Sequence, residues 1–186
     1  RTIPPQLKGA VVGYRDSCDD LREVRWGVLG AGNISHRFAS SLKKVDEARL
    51  VAAAGRTPSH VEEFCRAFSI EAAHSYATAD DSGDAAYDAL IADPDVDAIY
   101  LALPHGMHAH WACRALRAGK AALCEKPAVL NEEEAHAIAS VSRECGVPFM
   151  EAMKNRFCPM RTRVKGLLAS GELGCIVSIE SVQKLD

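Results

Sequence analysis

The feature that most constrains this fold is a regular alternation between short apolar segments and longer segments with helical periodicity. Strands apolar on both faces are typical of a parallel sheet that helices cover on both sides. The pattern therefore predicts an α/β domain with a doubly wound parallel sheet over about residues 25–152. The predicted strands are 25–30, 49–55, 98–103, 121–125 and 147–152, and the predicted helices are 32–45, 58–68, 85–93, 107–118 and 131–145.

The segments outside this alternation lead to further predictions. Residues 1–24 contain two adjacent prolines and an aspartate cluster without a signal-type apolar core, which predicts an N-terminal extension. The chain begins with Arg1 rather than methionine, which suggests a processed or partial chain. The polar stretch 69–84 predicts a loop, 160–170 a helix, and 175–183 a β-strand with no sheet to join.

Composition argues against several classes of function. The net charge of −3 and the absence of a basic block argue against nucleic acids or anionic lipids as partners. No membrane span is predicted, because the longest uncharged run, 98–113, contains Pro104 and Gly106. The seven cysteines are odd in number and form no C-x-x-C pair, so neither a disulfide framework nor a zinc site is expected. The cytosol is therefore the predicted compartment.

The segment GVLGAGNISHRF contains a G-x-G-x-x-S motif that closes a predicted strand and opens a predicted helix. Gly30 permits the sharp turn, Gly32 leaves room for a pyrophosphate, and Ser35 lets the helix approach the strand. The amides at the helix start, near Asn33 and Ile34, attract the phosphate together with the helix dipole. In this context the motif favours a dinucleotide site, and a plain glycine turn is the alternative interpretation.

The second predicted strand bears on which dinucleotide binds. In NAD sites, the end of the second strand usually carries an Asp or Glu that holds the ribose hydroxyls. In this chain, no acidic residue occurs between Leu50 and Val61. Arg56 follows the strand instead, and a guanidinium there would pair with a 2′-phosphate and stack on adenine. The sequence therefore predicts NADP as the cofactor. NAD use, dual specificity and a solvated loop arginine remain the alternatives.

Three segments together resemble one family of oxidoreductases. GVLGAGNIS, ALPHGMHAHWACRALRAGKAALCEKP and MEAMKNRFCP are similar to the Gfo/Idh/MocA family, and within it to dihydrodiol dehydrogenases and NADP-dependent D-xylose dehydrogenases. Glu125–Pro127 matches that family's E-K-P signature. The resemblance implies a Rossmann fold that binds NAD(P), hydride transfer between a diol or sugar and nicotinamide, and a homodimer.

The resemblance also implies roles for individual residues at the cofactor site. Lys126 corresponds to the lysine that touches substrate and nicotinamide, and Glu125 to the residue near the nicotinamide ribose. The other cofactor-binding residues that it implies are Gly30, Gly32, Ser35, Arg56, Pro104, His105, His108 and Arg156.

The chemistry of hydride transfer also favours Lys126 as the catalytic residue, independently of the resemblance. Hydride transfer from an alcohol requires the hydroxyl proton to leave, and a nearby ammonium stabilises the negative charge that develops on oxygen. A buried lysine would also exchange protons more readily near neutral pH. A solvated loop lysine is the alternative interpretation. The Lys126–Pro127 peptide bond is a candidate for the cis form.

No metal site is predicted from the histidines at 105, 108 and 110. Their spacing does not place all three on one helix face, and no carboxylate cluster accompanies them. The acidic run 132–134 is interpreted as the first turn of a helix capped by Asn131 rather than as a catalytic group.

The chain departs from the family pattern in two ways. Lys154 and Asn155 stand where relatives often carry an aromatic residue, and the chain ends at Asp186. Family members continue into an open antiparallel sheet with a second catalytic residue. Residues 153–186 are therefore predicted to be the truncated start of a second α+β domain for substrate binding and dimerisation. Little or no catalysis is expected from residues 1–186 alone, and a non-catalytic dinucleotide-binding module or an inactive fragment is the alternative to an enzyme.

Overall fold

A six-stranded parallel sheet forms the centre of the fold in a computed structural model that describes residues 23–78, 83–180 and 182. The strands lie in the order β3-β2-β1-β4-β5-β6, and each neighbouring pair is parallel. The strand order reverses between β1 and β4, where a crevice forms outside the carboxyl ends. The strands are β1 (Val24–Leu29), β2 (Ala48–Gly55), β3 (Ser75–Ala77), β4 (Ala98–Leu101), β5 (Ala121–Cys124) and β6 (Phe149–Glu151).

Helices connect the strands, and their starts follow local rules. Pro58 occupies the first turn of α2, where its missing amide hydrogen costs nothing. The Asn131 side chain accepts a hydrogen bond from the Glu134 amide at 2.9 Å, which confirms it as the cap of α5. The helices are α1 (Asn33–Leu42), α2 (Pro58–Phe68), α3 (Asp84–Ala92), α4 (His108–Arg117), α5 (Glu132–Cys145) and α6 (Pro159–Ser170).

Two hydrophobic cores cover the two faces of the sheet, which confirms the doubly wound arrangement. Adjacent residues of one strand point to opposite faces, so Leu29 joins one core and Val28 the other. The first core contains side chains of α3, α4 and α5, including the fully buried Trp111. The second contains side chains of α1 and α2, including Phe64. Helix packing on both faces explains why the strands are apolar throughout.

Two predictions of secondary structure were wrong. The predicted loop 69–84 contains a 3-10 turn at 72–74 and the strand β3, which pairs with β2 through Ala53–Gly55. A three-residue strand is too short to show an apolar pattern, so its pairing with β2 decides its structure. The strand predicted over 175–183 is absent from residues 175–180, because no neighbouring strand among the described residues pairs with them, while residues 181 and 183 lie outside the described residues. Residues 1–22 of the predicted extension lie outside the described residues.

The chain divides into two compact units, of which the first ends at Ala152 and the second begins at Met153. The described part of the second unit contains a 3-10 turn at Lys154–Phe157 and the helix α6. Its membership in a second α+β domain stays a prediction. In the described part of the chain, no helix combines the length and the hydropathy that crossing a membrane requires.

A polar network at the turn before β4 was not foreseen from the sequence. The buried Asp93 carboxylate lies 2.6 Å from the His74 ring and accepts a hydrogen bond from the Tyr76 hydroxyl at 3.0 Å. Burial raises the pKa of Asp93, but hydrogen bonds from the Asp95 amide, His74 and Tyr76 outweigh it and leave the pKa below its ordinary value. The network fixes β3 to the turn that begins β4.

We expect Asp93→Asn to destabilise the protein at pH 7 by about 1–3 kcal/mol, because a hydrogen-bonded buried carboxylate is lost. Because the pKa of Asp93 is lower in the folded state than in the unfolded state, the ionised carboxylate stabilises the protein at pH values above the unfolded-state pKa of about 4. That contribution disappears as the pH falls from about 4 through the folded-state pKa. Asp93→Asn should therefore flatten the acid side of stability curves measured by urea unfolding between pH 7 and pH 3. Asp46→Asn, at an exposed position, is the control. An unchanged acid slope in Asp93→Asn would contradict the assignment.

Candidate functional site

A cleft of about 150 Å³ lies at the carboxyl ends of β1, β2 and β4. Ligands of open α/β sheets bind at this place, where the strand order reverses. Two larger hollows lie elsewhere: one of about 310 Å³ beside the starts of β1 and β2, and a groove of about 620 Å³ between α5 and β6. Position rather than size therefore identifies the cleft as the candidate site. Its walls include Gly30, Ala31, Gly32, Gly55, Arg56, Thr57, His60, Ala102, Leu103 and Pro104.

The two glycines of the turn after β1 differ in their surroundings. Gly30 has φ +94°, and a Cβ there would lie 2.6 Å from the Ala102 carbonyl oxygen, so no other residue fits without displacing backbone. Gly32 precedes α1, and a Cβ added to it would meet nothing within 4 Å. Gly30 is thus required by the fold, whereas Gly32 leaves open space at the cleft, and its contact with a diphosphate stays a prediction. The exposed Asn33 and Ile34 begin α1 beside it.

Ser35 stabilises the glycine turn through a hydrogen bond, in addition to being small enough for the close approach of α1. It is fully buried, and its hydroxyl donates a hydrogen bond to the Gly30 carbonyl. The Gly30 amide donates to the Ala54 carbonyl at 2.8 Å. These two bonds hold the turn between β1 and α1 from both sides, which fixes the direction of the helix amides.

Arg56 is exposed directly after β2 and forms one wall of the cleft. Its stem lies against Gly83, at the start of α3, where an added Cβ would come within 2.5 Å of Arg56 Cγ. The contact between Gly83 and Arg56 was not predicted from the sequence, because only the packing shows that a larger residue at position 83 would displace the arginine side chain. The Arg56 stem thus packs against the start of α3 at the wall of the cleft, and a contact of its guanidinium with a 2′-phosphate stays a prediction.

The segment after β4 brings two of its predicted residues to the surface and buries the third. Pro104 and His105 are exposed, and Pro104 lines the cleft. His108 is fully buried, and its ring nitrogens lie 2.8 Å from the carbonyl oxygens of Leu103 and Pro127. His108 therefore ties the end of β4 to the end of β5, while a direct cofactor contact by His108 stays a prediction.

The end of β5 carries Glu125 and Lys126. Glu125 accepts hydrogen bonds from the Tyr100 hydroxyl at 2.6 Å and from the Lys126 amide at 3.2 Å. The Lys126–Pro127 peptide bond is cis, as hypothesised from the sequence. Lys126 itself is exposed, so the described residues do not provide the burial that would assist proton exchange. The Ala128 amide donates to Glu151 at 2.9 Å, which ties this loop to β6.

Cys124 lies directly before Glu125 at the end of β5. Its side chain is fully buried. Burial, together with the charges of Glu125 and Glu151, raises the pKa of the Cys124 thiol to about 12. A buried thiol with a raised pKa is a poorer nucleophile at neutral pH than an exposed cysteine.

The remaining predicted residues lie apart from these contacts. Arg156 belongs to the second unit, and its role at the cofactor stays a prediction. The histidines at 105, 108 and 110 are not among the residues that could jointly hold a metal ion; in the described part of the chain that group is His74, Asp93 and Asp95. Those three bind one another, and Asp95 also pairs with Arg25 at 2.6 Å, so we interpret them as a structural network.

Comparison with known proteins decides the family. The family model for GFO_IDH_MocA, described as an oxidoreductase family with an NAD-binding Rossmann fold, matches residues 24–153. The chain belongs to the Gfo/Idh/MocA oxidoreductase family. The expected NAD(P)-binding Rossmann fold is thereby confirmed, while the individual residues predicted to contact the nucleotide stay predictions.

Individual members of the Gfo/Idh/MocA family are moderately similar to the chain. Trans-1,2-dihydrobenzene-1,2-diol dehydrogenase of Bos taurus is 35% identical over 153 residues, which cover 81% of this chain and 43% of the relative. D-xylose 1-dehydrogenase (NADP(+)) 2 of Haloferax volcanii is 33% identical over 158 residues, which cover 85% of this chain and 45% of the relative.

A solved structure shows a similar fold. KijD10, a 3-ketoreductase from Actinomadura kijaniata in complex with NADP and TDP-benzene, superposes with a TM-score of 0.70 at 32% identity. The match covers 81% of this chain and 43% of KijD10. The chain thus spans less than half the length of the relatives it matches.

Proposed function

We propose that this chain is the NADP-binding part of an oxidoreductase that transfers a hydride between a hydroxyl-bearing carbon of a diol or sugar and nicotinamide C4. The observation that carries the proposal is the cleft itself, where the open space at Gly32 and the stem of Arg56 form walls of one hollow. The substrate class rests on the names of the dihydrodiol and D-xylose dehydrogenases that the chain resembles.

The residues around the cleft suit the two ends of this cofactor. The Gly30–Gly32 turn and the start of α1 would hold the diphosphate, and Arg56 would hold the 2′-phosphate. Nicotinamide supplies the site that accepts or donates the hydride when the cofactor is bound. Lys126 would donate a hydrogen bond to the reacting oxygen of the substrate and stabilise the negative charge that develops there.

The alternative is a module that binds the dinucleotide without catalysis. The placement of Glu125 and Lys126 together at the end of β5, outside the glycine turn, favours the enzyme, because nucleotide binding alone does not require an ammonium there. A homodimer and a cytosolic location belong to the proposal for the whole protein.

The experiment that tests cofactor binding compares Gly32→Asp with the unaltered chain. A side chain at Gly32 meets open space, so the fold should tolerate the change, while the new carboxylate would occupy the diphosphate site and repel it. We expect the Kd for NADPH, measured by calorimetry, to rise by about 100-fold or more, because charge repulsion adds to steric exclusion.

Gly166→Asp is the matched control, because an added Cβ at Gly166 also meets nothing within 4 Å and the residue lies in α6. Thermal unfolding curves of both variants serve to check that each variant is folded. Failure of the unaltered chain to bind NADPH, or equal binding by Gly32→Asp, would refute the proposed function.

A further inference from the structure

Tyr100 connects the phosphate-binding helix to the residues at the end of β5. It lies in β4 and is 3% exposed, and its ring stacks on Phe38 of α1 with 4.0 Å between ring centroids and 7° between planes. Phe38 in turn contacts Trp26 of β1 edge to face, with 5.4 Å between centroids. The ring of Tyr100 is therefore fixed by α1, the helix that begins at the glycine turn.

The hydroxyl of the same side chain reaches Glu125. It donates to one carboxylate oxygen at 2.6 Å, while the other accepts the Lys126 amide at 3.2 Å. Both oxygens of Glu125 thus have a donor, and a carboxylate held at two points is restricted in its rotamers. Burial, and next the hydrogen bond and charge of Glu125, raise the pKa of Tyr100, so the phenol keeps its proton and remains the donor.

A phenylalanine would satisfy the packing in this place equally well. The stack on Phe38 needs only the ring, whereas a buried hydroxyl is costly unless it finds a partner. The hydroxyl therefore makes a contact that packing does not require, and its partner Glu125 adjoins Lys126 at the end of β5.

We propose that Tyr100 is a positioning residue, which holds the Glu125 carboxylate, and through it the backbone at Lys126, in the geometry that binds the nicotinamide end of the cofactor. The hydrogen bond stands independently of the function proposed above, but its consequence for the cofactor rests on that function. Tyr100 acts through Glu125 and is not expected to touch the cofactor.

A double-mutant cycle tests this with Tyr100→Phe, Glu125→Ala and the combined variant. Tyr100→Phe removes only the hydroxyl and is expected to raise the Kd for NADPH by about 3–10-fold, which lies in the lower part of the range of coupling energies for residues in contact. In the Glu125→Ala background, Tyr100→Phe should change the Kd by less than about twofold, because the hydroxyl then has no carboxylate to hold.

Tyr76→Phe is the matched control, since it removes a hydroxyl that donates to Asp93 in a different network. If the Tyr100 hydroxyl had only a structural role, its removal would lower the thermal stability, as removal of the Tyr76 hydroxyl does, and the Kd for NADPH would stay unchanged in both variants. Two results would overturn the proposal: an unchanged Kd in Tyr100→Phe, or an equal effect of Tyr100→Phe with and without Glu125.

The same variants separate this proposal from the proposed function. If the unaltered chain binds no NADPH, the proposed function fails, and the free energies of unfolding of the four proteins in the cycle still measure the Tyr100–Glu125 coupling. A clear coupling would then support Tyr100 as the residue that positions Glu125, and additive effects would overturn it.

Discussion

Replacing Lys126 by alanine is expected to lower kcat by about 1,000-fold or more, because one donor to a developing oxyanion accounts for about 10²–10³-fold and proton transfer for a similar factor. Lys126 is exposed at the end of β5, outside the walls of the cleft at the glycine turn. The Kd for NADPH should therefore change by less than about twofold, since the lost interaction is with the substrate oxygen.

Turnover is measured in the complete gene product, because the chain spans only 43% of its dihydrodiol dehydrogenase relative. Lys126→Arg separates the two parts of the effect, since a guanidinium keeps the charge but does not give up its proton. Lys44→Ala, in the exposed turn after α1, is the control for loss of a lysine. A Lys126→Ala enzyme with normal kcat would refute the catalytic role, and the non-catalytic module would then be the better interpretation.

Replacing Arg56 by glutamate is expected to raise the Kd for NADPH by about 100-fold, since a hydrogen bond between charged groups is worth about 1.5–3 kcal/mol and the new carboxylate repels the 2′-phosphate. NADH lacks that phosphate, so its Kd should rise by less than about threefold. The measurement is a fluorescence titration of both nucleotides with the same protein preparation.

Arg66→Glu is the control for this charge reversal, because Arg66 is an exposed residue at the far end of α2. It should leave both Kd values within about twofold, since charges that far apart in water are screened. Equal losses of NADPH and NADH affinity in Arg56→Glu would reject the 2′-phosphate contact and leave NAD, or both nucleotides, as the cofactor.

The glycine turn is a feature that could be predicted from consecutive residues alone. Gly30 and Gly32 were predicted to differ in role, and the structure separates them: a Cβ at Gly30 would strike the Ala102 carbonyl, whereas one at Gly32 meets open space. Such a turn is predictable because its chemistry depends on a few consecutive residues. The Asn131 cap was predictable for the same reason.

The contacts of His108 and Tyr100 show where local sequence fails. His108 bonds the carbonyl of Pro127, 19 positions away, and Tyr100 bonds Glu125, 25 positions away. The residues that flank His108 and Tyr100 in the sequence do not indicate these partners, because the contacts arise from the register of β4 beside β5. The three-residue strand β3 was missed for the same reason, since only its pairing with β2 makes it a strand.

By itself, the sequence determined the order of the elements other than β3, the two-sided core and the glycine turn, because hydrophobic periodicity and backbone freedom act over short stretches of chain. The tertiary structure decided which strand ends meet, that Glu125 is held by Tyr100 and the Lys126 amide, and that Arg56 lies against Gly83. These contacts join residues far apart in the chain, and only the packed sheet brings them within bonding distance.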